Sequence, residues 1–141
     1  MRLYSYTNMY MEGIHAGIQT SHAVNELWVK YDATDPGKAY SRLVEWAADH
    51  KTIYVYNGGL SSMLWSRYQM LREFAKQFDL PIARFYESKD ALNGALTCVA
   101  LVVPEEYYRS QPARFPQTFP PQPKTDKERF HELLHNCERA R

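Results

Sequence analysis

Apolar and polar positions alternate along the chain with two different periods, and these divide it into strands and helices. Runs of period two that are rich in β-branched and aromatic residues predict strands, and apolar residues three or four positions apart predict helices. We expect strands at residues 2–8, 51–57, 81–87 and 95–104, helices at 13–30, 36–49 and 61–78, and a turn or short helix at 88–94.

This order of elements predicts an α/β domain over residues 1–110, built on a single mixed, mostly parallel four-stranded sheet with flanking helices. The last strand, ALTCVALVVP at 95–104, is apolar over almost its whole length. Such a run is typical of a central strand that is covered on both faces.

The composition changes beyond this domain. Residues 111–124 contain five prolines and predict an extended linker, or arm. Thr125 and Glu128 then have the spacing of a capping box, so we expect a helix within 125–141 with Phe130 on its apolar face. This C-terminal helix either docks on its own domain or crosses to a neighbouring subunit, and we favour the neighbour and a role in oligomerisation or docking.

Composition and charge exclude several classes of protein. Hydrophobic residues make up 45% of the 141 residues and the formal net charge is +1. The chain is therefore too apolar for a disordered protein, and it has no overall charge that would attract a long nucleic acid or a membrane. The first residues lack a signal-peptide pattern, and Cys98 lies in an apolar run, which argues against a disulfide framework. We expect a cytoplasmic protein, located in the host-cell cytoplasm if a phage encodes it.

The first helix carries a block of small and polar residues, GIQTSHAV at 17–24. Small side chains allow a helix to pack closely on a sheet or on a second subunit. Gln19 and His22 are three positions apart and share a helix face. A single histidine in this position is more often structural than catalytic, and we predict no catalytic role for His22.

The phrases GIHAGIQTSHAV and LPIARFYESKD…LTCVALVVP resemble the archaeal and eukaryotic type of peptidyl-tRNA hydrolase. Gln19, His22 and Ala23 match that family's AAQxxHA signature. The resemblance covers residues 2–104 and implies, as an alternative function, an esterase acting on peptidyl-tRNA. The family's lysine before this helix is absent, and YESKDALNG replaces its acidic-glycine turn. Because an esterase needs an oxyanion-stabilising group and a general base, these departures lead us to predict no catalytic residue.

Longer phrases, namely GIQTSHAVNEL, EWAADHKTIYVYNGG and FYESKDALNGALTCVALVVPEEYY, resemble the phage anti-Thoeris proteins. Those proteins sequester cyclic ADP-ribose isomers made by host TIR-domain enzymes. The resemblance runs to about residue 109. It implies a homo-oligomer that binds a cyclic ADP-ribose isomer, or a cyclic di- or trinucleotide, without converting it. It also implies no cofactor, no metal and no membrane or long nucleic acid as a partner.

A site for such a ligand needs cations for the phosphates. Arg109 follows the last predicted strand, and its planar guanidinium suits two-point phosphate binding. We predict Arg109 as the main phosphate ligand, with a contribution from Lys30 or Arg84. Tyr107, from the same EEYYRS stretch, is included among the ligand-binding residues.

The site also needs polar groups and a flat surface for a base. Asn57, Gly58 and Gly59 lie between a strand and a helix N-terminus, where a phosphate can approach, although such a turn is usually only a turn. Asn93 can bind a base or ribose, or it can serve the tight turn before the last strand. Phe85 and Tyr86 are neighbours on a predicted strand and so face opposite sides of the sheet. One of them should lie in the core and the other can stack on a base, and we choose Phe85 as the candidate. Because ligands collect at strand ends in open α/β sheets, we expect Asn57, Glu87 and Arg109 at such ends.

Overall fold

The strands and helices expected from the sequence pattern are all present in the computed structural model, which describes residues 1–34, 36–109, 123–137 and 140. Among the described helices, none combines the length and the apolar character needed to cross a lipid bilayer. The elements in chain order are β1 (Arg2–Thr7), α1 (Ile14–Lys30), α2 (Lys38–Glu45) with a π-helical turn (Trp46–His50), β2 (Ile53–Asn57), α3 (Ser61–Phe78), β3 (Ile82–Tyr86), α4 (Lys89–Leu92), β4 (Leu96–Val103), α5 (Glu105–Tyr108) and α6 (Asp126–His135).

The four strands form one mixed sheet in the order β2-β1-β4-β3. β1 and β2 are parallel, whereas β4 is antiparallel to both of its neighbours, β1 and β3. Three strands therefore run in one direction and β4 runs against them. The predicted α/β fold with a single mixed sheet is confirmed. Parallel pairing does not dominate it, however, because the one reversed strand lies between two others and makes both of its pairs antiparallel.

Helices cover both faces of the sheet and produce two hydrophobic cores. α1 and α2 pack on one face, where Leu27 and Leu43 are fully buried with Leu3 of β1. α3 and α6 cover the other face, where Leu64 and Phe130 are fully buried. Every residue of β4 is buried, so the prediction of a central strand covered on both faces is confirmed.

The C-terminal helix begins at the predicted capping box. The Thr125 hydroxyl accepts a hydrogen bond from the Glu128 N–H, and the Glu128 carboxylate accepts one from the Thr125 N–H at 2.7 Å. These two bonds satisfy backbone donors that a helix N-terminus leaves without partners. The predicted arm at 111–124 lies outside the described residues except for its last two positions.

The C-terminal helix α6 packs on its own domain, which is one of the two arrangements considered from the sequence. Leu134 is fully buried, and its carbonyl accepts a hydrogen bond from the Tyr6 hydroxyl at 2.8 Å. Arg67 of α3 donates to the carbonyl of Leu133 at 2.7 Å. α6 thus covers the tyrosine-rich face of its own sheet, and the role in oligomerisation that we favoured stays a prediction.

Candidate functional site

The reversed direction of β4 separates the predicted site residues into two groups. The ends of β2 and β3 and the start of β4 lie at one end of the sheet, which we call the upper end. Asn57 and Asn93 are found there. Arg109 follows the end of β4, which lies at the opposite, lower end. The structure therefore does not bring Arg109 together with Asn57 and Glu87.

The lower-end residues have structural partners. Arg109 is mostly exposed and forms an ion pair with Glu105, one turn earlier. The Lys30 ammonium donates to the carbonyl of Ile82 at 2.9 Å. Tyr107 is buried and stacks on Phe78, with ring centroids 4.7 Å apart. Exposed ion pairs contribute little to stability, and none of these contacts prepares a common phosphate site.

The turn after β2 is explained by its own geometry. The Asn57 side chain accepts a hydrogen bond from the Gly59 N–H at 2.9 Å, and the Gly58 N–H donates to the Thr7 carbonyl at 2.7 Å. A Cβ atom on Gly58 would lie 2.3 Å from a methyl group of Leu64, and Gly59 has a φ of +80°. Both glycine N–H groups therefore already donate hydrogen bonds within the chain. They are not available to bind a phosphate directly, as the sequence had suggested.

Asn93 serves the tight turn before β4, which was the alternative to a role in binding a base or ribose. Its φ is +53° and it ends α4 in the left-handed conformation, with its N–H bonded to the Lys89 carbonyl. Asparagine tolerates this conformation better than most residues. Its side chain is exposed at the upper end of the sheet.

A cleft of about 500 Å³ opens at the upper end, beside the first turn of α3. The buried Asn8 amide donates to the Ser61 hydroxyl at 3.0 Å, and Ser61 donates to the Leu96 carbonyl at 3.0 Å. Leu60, the N-cap residue of α3, provides no side-chain cap hydrogen bond, and the positive end of the helix dipole faces this region. The lining consists of neutral residues, namely Asn8, Tyr10, Met11, Leu60, Ser61, Ser62, Leu92, Ala95 and Thr97.

Arg84 of β3 lies among three aromatic rings on the α3 face of the sheet. Its guanidinium carbon is 4.8 Å from the ring centroid of Trp65, 4.7 Å from that of Tyr68 and 5.4 Å from that of Tyr86. Among the described residues, no acceptor takes a hydrogen bond from the Arg84 guanidinium and no carboxylate pairs with it. Trp65 and Tyr86 are 39% and 43% exposed. We call Arg84, Trp65, Tyr68 and Tyr86 the arginine cluster.

The arginine cluster adjoins the cleft. Ser61, which lines the cleft, and Trp65 are four residues apart on α3 and so share a helix face. Tyr86 pairs with Leu96, whose two chain neighbours line the cleft. A ligand at this end of α3 therefore meets flat aromatic surface, a guanidinium and hydroxyl groups within one region.

The sequence indicated Arg84, and Tyr86 as the alternative to Phe85, but it did not indicate Trp65 or Tyr68 as ligand-binding residues. Trp65 is not among the buried positions of α3. A large aromatic residue on the exposed side of a helix is the feature of the sequence that could have indicated a binding role. Phe85 was the predicted base platform, but it lies on the opposite face of the sheet from Arg84. There its ring stacks on His22, with centroids 4.5 Å apart and an angle of 17°.

A buried hydrogen-bonded chain links α1 to the upper ends of β3 and β4. The Thr97 hydroxyl donates to the Gln19 amide oxygen at 2.6 Å, and the Gln19 amide donates to the Glu87 carboxylate at 2.7 Å. Gln19 is thus fixed at both ends, and His22 lies one turn further along α1. This chain unites three residues from different elements that the sequence could not place together.

The cysteine in β4 is not prepared for chemistry. Burial raises the pKa of the Cys98 thiol to about 12, and the Ser5 hydroxyl lies 3.2 Å from its sulfur. The thiol is therefore protonated at neutral pH, and a protonated thiol is a poor nucleophile and metal ligand. Within the described residues, no group of three or more histidine, cysteine or acidic side chains could hold a metal ion.

In comparisons with protein-family models and with curated proteins, the chain has no match. Its family is therefore not shown, and the two resemblances remain predictions.

Proposed function

We propose that this protein binds a cyclic nucleotide second messenger, such as a cyclic ADP-ribose isomer or a cyclic di- or trinucleotide, and holds it without converting it. In the cytoplasm of a phage-infected cell, such binding antagonises a defence system that signals through the nucleotide. The observation that carries this proposal is the Arg84 guanidinium, which lies among aromatic rings and donates no hydrogen bond to an acceptor within the described protein.

The chemistry of the arginine cluster suits a nucleotide. A base that stacks on an exposed aromatic ring gains roughly 1–3 kcal/mol. The Arg84 guanidinium can donate two parallel hydrogen bonds to a phosphate. The uncapped N-terminus of α3 adds a favourable field for an anion.

The adjoining cleft suits the rest of the ligand. Its volume of about 500 Å³ is within the usual range for small-molecule sites. Asn8, Ser61 and Ser62 offer groups that can bind ribose hydroxyls. The neutral lining supplies no acid–base pair, which favours sequestration of the ligand over its hydrolysis.

The test is to recover the ligand. The protein is incubated with each cyclic ADP-ribose isomer, separated from unbound nucleotide and denatured by heat, and the released material is analysed by mass spectrometry. Intact ligand in an amount that matches the protein supports sequestration. Converted ligand identifies an enzyme, and the absence of any retained nucleotide across cyclic ADP-ribose isomers and cyclic oligonucleotides contradicts the proposal.

A second candidate function is hydrolysis of the ester in peptidyl-tRNA. The observation that favours it is the buried chain from Thr97 through Gln19 to Glu87, with His22 one turn away on α1. The hydrolase resemblance rests on Gln19 and His22. Release of labelled peptide from peptidyl-tRNA, and its loss in His22→Ala, would support this function over the first.

A further inference from the structure

Two histidines of α6 have the spacing of metal ligands. The sequence HELLH at 131–135 places His131 and His135 four residues apart on one face of the helix. Its pattern, HExxH, is the one in which a helix supplies two imidazoles to a zinc ion. His131 is half-buried and His135 is exposed, so an ion from solvent can reach this face of the helix.

Backbone carbonyls orient the rings of both histidines. The His135 Nδ1 lies 2.8 Å from the His131 carbonyl oxygen, and the His131 Nδ1 lies 3.3 Å from the Tyr107 carbonyl oxygen. A carbonyl can only accept a hydrogen bond, so Nδ1 carries the proton in each neutral ring and Nε2 keeps its lone pair. Histidines that bind metals usually make this second hydrogen bond, which fixes the tautomer and the direction of the ring.

The distances between these groups match those around a tetrahedral ion. The two imidazole centroids are 4.5 Å apart. Two imidazoles bound to one zinc ion, each with a Zn–N distance of about 2.0–2.1 Å, have centroids roughly 5 Å apart. The Tyr4 hydroxyl of β1 lies 3.2 Å from the His135 Nε2. Two ligand atoms of the same tetrahedral ion are roughly 3.3 Å apart, so a small movement of side chains suffices to bind the ion.

We propose that His131, His135 and Tyr4 form a binding site for Zn²⁺, in which the two Nε2 atoms and the Tyr4 hydroxyl oxygen are the protein ligands and water completes the coordination. Imidazole nitrogen and oxygen are ligands that suit zinc. The ion then joins α6 to β1 and holds the helix on the sheet. This set contains only two histidines, so it differs from the clusters of three or more histidine, cysteine or acidic side chains that the described residues lack.

The site binds zinc without using it for hydrolysis. In enzymes with the HExxH pattern the glutamate is the general base. The corresponding Glu132 instead forms an ion pair with Lys124. None of these residues belongs to the arginine cluster or lines the cleft beside α3, so the inference does not depend on the proposed function.

One nearby cation sets the expected strength of binding. The Arg2 side chain forms a hydrogen bond with that of Tyr4, and its guanidinium carbon lies 4.1 Å from the ring centroid of Tyr108. Because this positive charge is close to the Tyr4 hydroxyl, it opposes a second cation there. We therefore expect micromolar rather than nanomolar affinity for zinc.

The first test is calorimetric titration of the full chain with zinc sulfate. The wild type should bind a single zinc ion with a dissociation constant on the order of 10 µM, and its melting temperature should rise with zinc concentration. His131→Gln and His135→Gln should each weaken binding at least about tenfold. His15→Gln is the matched control, because it removes an exposed histidine from α1, and it should bind as the wild type does. A wild type that binds no zinc below about 1 mM, or histidine variants of α6 that bind as the wild type does, overturn the proposal.

Three further variants test the ligand set. Tyr4→Phe keeps the buried ring but removes the oxygen, so it should weaken zinc binding severalfold. Arg2→Gln should tighten binding, because it removes the opposing charge; unchanged or weaker binding would contradict a metal beside Tyr4. Cys137→Ser should bind as the wild type does, and a loss of binding would show that the thiol is a ligand and overturn the proposed set. Circular dichroism spectra without zinc show whether each variant is folded.

Tyr4→Phe also distinguishes this site from zinc held by the two histidines alone. In that case the variant would bind as the wild type does, which contradicts the bridge from α6 to β1.

Discussion

The guanidinium carbon of Arg84 lies 4.8 Å from the centroid of the Trp65 ring, and this contact joins the sheet to α3 at the edge of the candidate site. The arrangement keeps a long, flexible cation in one place before a ligand arrives. Fixing the cation in advance lowers the entropy lost on binding, so more of the interaction energy appears as affinity.

Arg84→Ala should weaken nucleotide binding by about one to two decades, since a charge-assisted hydrogen bond contributes roughly 1.5–3 kcal/mol. Arg84→Lys should recover only part of this, because an ammonium cannot reproduce the planar two-point contact. Calorimetric titration measures the affinity, and the melting temperature shows whether the fold is intact. Arg109→Ala is the matched control, because Arg109 lies at the other end of the sheet, and it should bind as the wild type does. The reverse result would restore our first assignment of Arg109 as the phosphate ligand.

Trp65→Ala should also reduce affinity, by roughly 1–3 kcal/mol if a base stacks on the indole. Met70→Ala removes an exposed side chain from the same helix outside the arginine cluster and serves as its control. A base that stacks on Trp65 should in addition change the indole fluorescence on titration. An unaltered affinity for Trp65→Ala would mean that the ligand is held in the cleft without this ring.

His22→Ala should leave nucleotide binding within about tenfold of the wild type, which corresponds to about 1.4 kcal/mol. The reason is that His22 stacks on Phe85, on the opposite face of the sheet from Arg84. Affinity and peptidyl-tRNA hydrolysis should be measured on one preparation. A loss of hydrolysis without a loss of binding would favour the esterase.

Phe130→Ala should lower the free energy of unfolding by about 3–5 kcal/mol, because this fully buried ring packs against Phe74 and Tyr107 between α6 and the sheet. Phe130→Leu keeps most of the volume and should cost much less. Urea titration gives both values. Since α6 docks on its own chain, we expect a loss of stability and no change in the mass in solution. A lower mass with unchanged stability would instead place α6 in the association of subunits.

The docking of α6 should weaken in acid. Burial lowers the pKa of His135 below its ordinary value of 6.5, and the hydrogen bond to the His131 carbonyl offsets this only in part. The His135 ring lies 3.2 Å from the Tyr4 hydroxyl. The unfolded chain therefore binds this proton more readily than the folded chain. The stabilising contribution is complete above pH 6.5 and is lost as the pH falls through the lower, folded-state pKa. The melting temperature should fall between about pH 7.5 and about pH 5, and His135→Gln should flatten this dependence.

Much of the fold could be predicted from hydrophobic periodicity. The apolar run of β4 indicated a central strand, and the helix pattern located α1 and α3 closely. The direction of β4 could not be predicted, because a strand that is buried on both faces has the same pattern in either direction. That direction decides the site, since it places Arg109 at the end of the sheet opposite Asn57.

The site itself was only partly predictable. Alternation along β3 correctly indicated that Phe85 and Tyr86 face opposite sides of the sheet. It could not show on which side the aromatic rings surround Arg84. Arg84 and Tyr86 share the α3 face, where Trp65 completes the cluster. Contacts between residues far apart in the chain depend on the packing of α3 against the sheet, which a local pattern does not contain.

The position of β4 also has a consequence for synthesis of the chain. The last strand to be made lies between the first and the third, and Arg2 pairs with Val103. While the ribosome is still producing residues before 96, β1 and β3 have no common neighbour, and both faces of the unfinished sheet expose apolar side chains. Such long-range pairing slows folding. The nascent protein is therefore expected to depend on chaperones until β4 has emerged, and chains that are terminated before it should be degraded or aggregate.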